Sequence, residues 1–239
     1  MPAFSKLYLF AYNSLQAFGW AVSLFAILIN FFSTHSLDGA YASAGDLICL
    51  LQTVSFLEVI HGALGIVPSG VLFPFMQWGG RTHFVLAIVR QIVEVQELPS
   101  VFITFSCLEH RRDLNLVFSE NQKMICLQSW VQVIRYSHYA LNCIGSCPSL
   151  ITYLRYTVFI VLYPIGLAPG EMWTMYQALP FVKKKNLYAD LFAAFPFSYY
   201  NFLMAVLICY PFLWLNLYRY LLKQRRSKLG RHQETKKKK

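Results

Sequence analysis

Long apolar runs, each broken by only a few polar positions, organise this chain. A helix needs about 20 mainly apolar residues to cross the hydrocarbon of a bilayer. Residues 7–32 meet that length with Asn13 and Gln16 as polar interruptions, and residues 48–67 form a second candidate carrying Glu58 and His61. A third runs over 69–93 with Gly79-Gly80-Arg81 near its middle, and two more cover 151–167 and 197–222. The stretch between them is less regular. Residues 100–107 are apolar, polarity then runs from Leu108-Glu109-His110-Arg111-Arg112-Asp113 through Lys123, and apolar character returns over 125–141. Either 125–141 spans behind a long polar loop, or an insert splits a once-continuous helix. The pattern predicts an all-α polytopic membrane helix bundle of about six transmembrane helices over 1–222, with an atypical polar insert near 107–128.

Composition agrees with a lipid environment. Hydrophobic residues make up 56% of the 239 positions and charged residues 13%, about half of what a soluble surface of this size carries. The net charge of +10 at first suggests nucleic acid, but its placement argues otherwise. From Arg219 onward there are ten basic residues against one acid, Glu234, so this segment holds nine of the ten net charges. A basic segment directly after an apolar span is what the positive-inside bias places in the cytoplasm, where it also meets anionic lipid. Nucleic-acid binding would need a folded basic face with stacking aromatics, which residues 223–239 lack. With six spans and that tail cytoplasmic, the Lys183-Lys184-Lys185 loop faces the lumen against the usual bias, so the span count stays open by one. Lys236 and Lys237 stand fourth- and third-last, the placement of a dilysine signal for retrieval to the endoplasmic reticulum.

Ionisable side chains inside a span cost at least ~2.5–3.5 kcal/mol at the bilayer centre, so they usually face the bundle interior and serve a site. Glu58 and His61 are three apart and share a helical face. Arg81 and His83 follow, then Arg135, Tyr136 and His138, then Arg155, Tyr156 and Tyr163, with Glu171 just past Pro169-Gly170. A structural reading pairs Glu58 with Arg135 or Arg155 to tie helices together. A functional reading makes the set one polar site. No histidine or cysteine spacing matches a metal-ligand motif, and the six cysteines include no C-x-x-C pair. A transporter would also place charge at mid-membrane, but no inverted repeat relates the two halves.

The segment His61-Gly62-Ala63-Leu64-Gly65-Ile66-Val67-Pro68 has the outline of a tyrosine-phosphatase phosphate loop. Glycine stands at the nucleophilic cysteine and Pro68 at the phosphate-clamping arginine, so phosphatase chemistry is excluded. With Leu57-Glu58, Tyr12-Asn13, Gly19-Trp20 and Ile134-Arg135-Tyr136-Ser137, this segment resembles the very-long-chain (3R)-3-hydroxyacyl-CoA dehydratases, the protein tyrosine phosphatase-like family, in its plant-type form. Leu154-Arg155-Tyr156, Leu162-Tyr163-Pro164-Ile165-Gly166 and Gly170-Glu171 carry the resemblance furthest, and Ala178-Leu179-Pro180 and Gln224-Arg225-Arg226 extend it.

The resemblance implies a hydro-lyase of the endoplasmic reticulum membrane. It would dehydrate a (3R)-3-hydroxyacyl-CoA to the trans-2-enoyl-CoA in the third step of very-long-chain fatty acid elongation, without a cofactor. Its partners would be the acyl-CoA substrate, membrane lipid, and the condensing enzyme and two reductases of the elongase. It implies Tyr163 and Glu171 as the catalytic pair, with Glu58, His61, Arg135, Tyr136 and Arg155 in support. Two features depart from the family pattern. Tyr163 and Glu171 are eight apart with Pro169 between them, where seven is expected, so helical phase does not fix the carboxylate. The family's fourth helix is continuous and carries a glutamate before the arginine-tyrosine stretch. Here that stretch reads Trp130-Val131-Gln132-Val133-Ile134-Arg135-Tyr136 and follows the polar block, as a splicing variant would leave it. These departures keep open a second role, that of a catalytically weak scaffold or binding subunit.

Overall fold

The computed structural model describes residues 3–36, 39–67, 70–98, 100–101, 128–158, 160 and 170–237, and among these every regular element is helical. The first helix, α1 (Ala3–Thr34), shows most directly what environment the fold is built for. Leu15, Phe18, Val22, Phe25, Ile29 and Phe32 recur at spacings of three and four, and each is at least 40% exposed. The opposite stripe, Tyr12, Asn13, Gln16, Trp20, Ser23 and Ile27, is buried. A surface helix in water buries its apolar face and exposes its polar one. Here the purely apolar face is outside and the polar groups are inside, which suits lipid.

Several of those inward polar groups bond to backbone carbonyls, as a medium without water favours. Asn13 Nδ2 donates to the Leu9 carbonyl at 2.6 Å and Ser23 Oγ to that of Gly19 at 3.0 Å. Gln16 Nε2 reaches across to the Leu51 carbonyl at 3.3 Å and joins α1 to α2 (Ala40–Val54). The chain then turns through Ser55, whose hydroxyl bonds the Gln52 carbonyl at 2.7 Å, into α3 (Leu57–Ala63).

The phosphatase-like loop has a structural explanation. A Cβ on Gly62 would collide with the backbone carbonyl oxygen of Gly70, so only glycine permits that crossing. Gly65 adopts φ +67°, a left-handed conformation that ends the helix and that side chains resist. Pro68 lies outside the described residues.

Helix α4 (Leu72–Thr82) continues directly into a π-helical segment, His83–Val89, which contributes Phe84, Val85, Ile88 and Val89 to the centre of the core. Gln52 and Trp78 fasten α4 to α2 reciprocally: Trp78 Nε1 donates to the Gln52 carbonyl at 3.2 Å, and Gln52 Nε2 donates to Thr82 Oγ1 at 3.2 Å. After the short α5 (Val93–Gln96), the description resumes with α6 (Gln128–Cys143), α7 (Ser149–Thr157), α8 (Trp173–Lys185), α9 (Ala189–Phe192) and α10 (Tyr199–Lys237). Helix α6 packs mainly on α1, α7 packs on α6 and α10, and α8 lies against α10. Lys185 Nζ donates to Glu94 at 2.7 Å and ties the end of α8 to α5, holding that carboxyl below its usual range.

Among the described residues, three helices are long and apolar enough to cross a membrane: Phe4–Thr34, Ala40–Ala63 and Tyr199–Ser227. The chain is a membrane protein built as an all-α bundle. The second of these spans begins eight residues before the apolar run that suggested it, because Ala40, Ala44 and Gly45 are small enough to lie inside the bundle. Of the expected spans at 69–93, 125–141 and 151–167, the first is divided between α4 and the π segment, and the second is the 16-residue α6. All of the polar insert near 107–128 except Gln128 lies outside the described residues, as do 102–106 and 161–169. Helix α10 carries the chain from its apolar span into the basic residues 223–237 without a break.

Candidate active site

Glu58 sits in the first turn of α3, directed at α6. Arg135 Nη2 and the Tyr136 hydroxyl both donate to the same oxygen, Glu58 Oε1, and the two charged side chains are 12% and 22% exposed. Adjacent residues on a helix normally diverge, but Arg135 folds back so that its guanidinium carbon lies 4.5 Å from the centre of the Tyr136 ring. Of the two partners weighed from sequence for Glu58, Arg135 is the one it takes. Arg155 instead donates to the Tyr139 hydroxyl at 3.1 Å, and its guanidinium lies 5.6 Å from that ring.

His61, on the same face of α3 as Glu58, is buried against α1. Tyr8 Oη lies 3.0 Å from its Nε2, and the Tyr12 ring meets it edge-on at 5.2 Å. Tyr12 also meets Tyr136 edge-on at 6.3 Å, so α1, α3 and α6 converge on one set of phenol, carboxylate, imidazole and guanidinium groups. A small polar cavity of about 10 Å³ opens beside it, lined by Glu58, Arg135, Gln132, Gln52, Trp78 and Arg81 among others.

Glu171 occupies a separate position. It lies in a wide helical turn over 170–172 that leads into α8, and Thr174 Oγ1 bonds the Gly170 carbonyl at 2.8 Å to hold that turn. Such π-type turns are frequent at functional sites. The half-buried carboxylate accepts a hydrogen bond from the Tyr210 hydroxyl of α10. Tyr210 stands eleven residues into α10, about 16 Å along its axis at 1.5 Å per residue, within the stretch long and apolar enough to span a membrane. Arg81 lines the cavity beside Glu58 and Arg135. Tyr163 lies outside the described residues.

The described groups at these two centres are carboxylates, phenols, an imidazole and guanidinium groups, set among apolar helices. Comparison with known proteins shows the family. Residues 52–231 match the family model described as protein tyrosine phosphatase-like protein, PTPLA. The chain belongs to this family. Among the relatives of this PTPLA member, the very-long-chain (3R)-3-hydroxyacyl-CoA dehydratase 2 of Homo sapiens is 33% identical over 235 residues, covering 96% of this chain and 84% of that protein. Dehydratase 1 of Mus musculus is 32% identical over 223 residues, 91% of this chain and 71% of the other. The dehydratase PASTICCINO 2B of Oryza sativa subsp. japonica is 30% identical over 237 residues, 96% of both chains. No solved structure matches the chain.

The structure of this PTPLA chain adds residues that the sequence pattern did not single out. Tyr139 lies one turn beyond Arg135, a position at which helical spacing places a neighbour, and it receives the arginine from α7. Tyr12 and Gln132, both part of the family motifs quoted above, are buried. Tyr210 carries no such signal, since nothing local marks one phenol among 15 tyrosines as the partner of a carboxylate 39 residues away.

Proposed function

We propose that this chain dehydrates (3R)-3-hydroxyacyl-CoA to trans-2-enoyl-CoA, with Glu171 and Tyr163 as the pair that moves the protons. Membership of a family whose named relatives are such dehydratases supports the reaction. The observation that carries the site is Glu171, a half-buried carboxylate held by a phenol of the last apolar helix. The reaction needs a base to take the proton at C2, beside the thioester carbonyl, and an acid to give a proton to the hydroxyl at C3. The C2–H electron pair becomes the C2=C3 double bond, the C3–O bond breaks, and water leaves. A carboxylate and a phenol divide these roles well in a poorly hydrated site.

Glu58, Arg135, Tyr136, His61 and Arg155 act as support. Their hydrogen bonds and ring contacts fix α1, α3, α6 and α7 against one another. Arg81 lines the cavity beside that cluster, where a cation helps hold the polar end of an acyl thioester. We place the chain in the endoplasmic reticulum membrane beside the condensing enzyme and the two reductases of the elongase. Residues 1–222 form its bundle and 223–239 its basic cytoplasmic segment, the side that the positive-inside bias favours.

The test is turnover of a (3R)-3-hydroxyacyl-CoA by the purified chain and by Tyr163→Phe and Glu171→Gln variants. Losses of about 10²-fold or more in each, the lower range for general acid–base groups, support the assignment. Full activity in both refutes it. Complementation of a cell lacking its own dehydratase, with the full chain and with residues 107–128 removed, separates the readings of the insert. Rescue by the shortened form alone makes the insert inhibitory, and failure of both at normal membrane levels favours the scaffold role.

A further inference from the structure

Outside the residues assigned so far, Tyr210 contacts one of the two proposed catalytic residues directly. Its hydroxyl donates to Glu171 Oε2 from the middle of the last spanning helix, so it bridges α10 and the wide turn ahead of α8. Two local features make the reach possible. The next residue, Pro211, has no N–H to offer the Leu207 carbonyl, which loosens α10 at this point. Across the bundle, Gly80 presents no side chain. A Cβ there would already touch Tyr210 Oη at 3.8 Å, and any larger side chain would fill the space that the hydroxyl occupies.

A carboxylate in a wide helical turn has several rotamers available, and burial without a fixed partner would leave its direction undefined. One donor on one oxygen removes that freedom and leaves the other oxygen, Oε1, for the substrate. We propose that Tyr210 is a positioning residue for the dehydration, orienting the Glu171 carboxylate through its phenol without itself touching the acyl chain. This rests on the assignment of Glu171 above. The hydroxyl is the working part, since phenylalanine would keep the packing of the ring and lose the bond.

The experiment is a double-mutant cycle on the full-length protein in detergent or liposomes, with (3R)-3-hydroxypalmitoyl-CoA as substrate. Tyr210→Phe is expected to lower kcat about tenfold to a hundredfold with KM within about twofold, because misdirecting a catalytic group costs rate more than binding. In a Glu171→Gln background the same substitution is expected to cost less than about twofold, since the group it orients is gone. Gly80→Leu, which keeps the tyrosine but displaces its hydroxyl, is expected to reproduce the kcat loss, and it serves if the phenylalanine variant fails to assemble. Tyr210→Phe at the wild-type rate beside an impaired Glu171→Gln overturns this inference and leaves the assignment of Glu171 standing. A Tyr210→Phe loss that persists undiminished in the Glu171→Gln background also overturns it, because the effect is then one of packing. Wild-type activity in Glu171→Gln overturns the assignment of Glu171 and the inference with it.

Discussion

Replacing Arg135 with methionine removes the guanidinium while keeping most of the side chain's length. It leaves Glu58 as a carboxylate whose remaining donor is the Tyr136 hydroxyl. The pair is mostly desolvated, with side chains 12% and 22% exposed, so the stranded charge is not recovered by water. Breaking a buried ion pair by removing one partner costs about 3–5 kcal/mol. The residual exposure of Glu58 and its bond to Tyr136 place Arg135→Met near the lower end, about 3 kcal/mol. For a chain of this size that corresponds to a fall in Tm of roughly 6–12 °C. Adding Glu58→Gln removes the uncompensated charge, so the double variant is expected to regain most of that loss. Thermal unfolding of the detergent-solubilised protein, followed by tryptophan fluorescence, measures both. If Arg135→Met melts with the wild type, or if the double variant is no better than the single, the account of Glu58 and Arg135 as a mutually compensating pair is wrong. Activity supplies a further distinction. A folded Glu58→Gln/Arg135→Met protein that still turns over substrate confines the pair to support, whereas a folded but inactive one moves Glu58 into the chemistry.

Two further outcomes follow from the backbone and the lipid-facing surface. Gly62→Ala forces a methyl group into the Gly70 carbonyl and is expected to abolish accumulation of folded protein, whereas Gly65→Ala, with open space around it at φ +67°, is expected to cost only about 1–2 kcal/mol. Parallel expression and melting curves decide this, and equal behaviour of the two counts against the crossing at Gly62. Phe25→Arg puts a charge on the lipid face of α1 at about 2.5–3.5 kcal/mol in insertion. A glycosylation-tagged insertion assay should then show loss of insertion that the inward-facing Ser23→Ala does not produce.

Much of this protein was legible along the chain because lipid imposes a simple condition. Every backbone group must be paired within a helix, and long apolar runs with few charges can be little else. The all-α class, the spans near either end and the basic segment after the last one follow from that condition. So does the inward placement of Glu58, His61, Arg135, Tyr136 and Arg155, since charge at mid-span has to face the bundle. Sequence alone also excluded phosphatase chemistry, because Gly62 and Pro68 stand where a nucleophile and an anion clamp are required.

Partners were another matter. Glu58 had two arginines of equal merit, and the choice of Arg135 depends on α6 packing against α1, which brings Arg135 to α3 and leaves Arg155 to Tyr139. The start of the second span at Ala40 depends on small residues fitting inside the bundle, a property of shape that hydropathy does not register. The Gly62–Gly70 crossing and the bond from Tyr210 to Glu171 join segments whose local patterns carry no trace of each other. The sequence by itself therefore determined what each segment is and which of its sides turns inward, because solvation acts residue by residue. Which inward groups meet was decided by tertiary structure, because that depends on the relative rotation and height of packed helices.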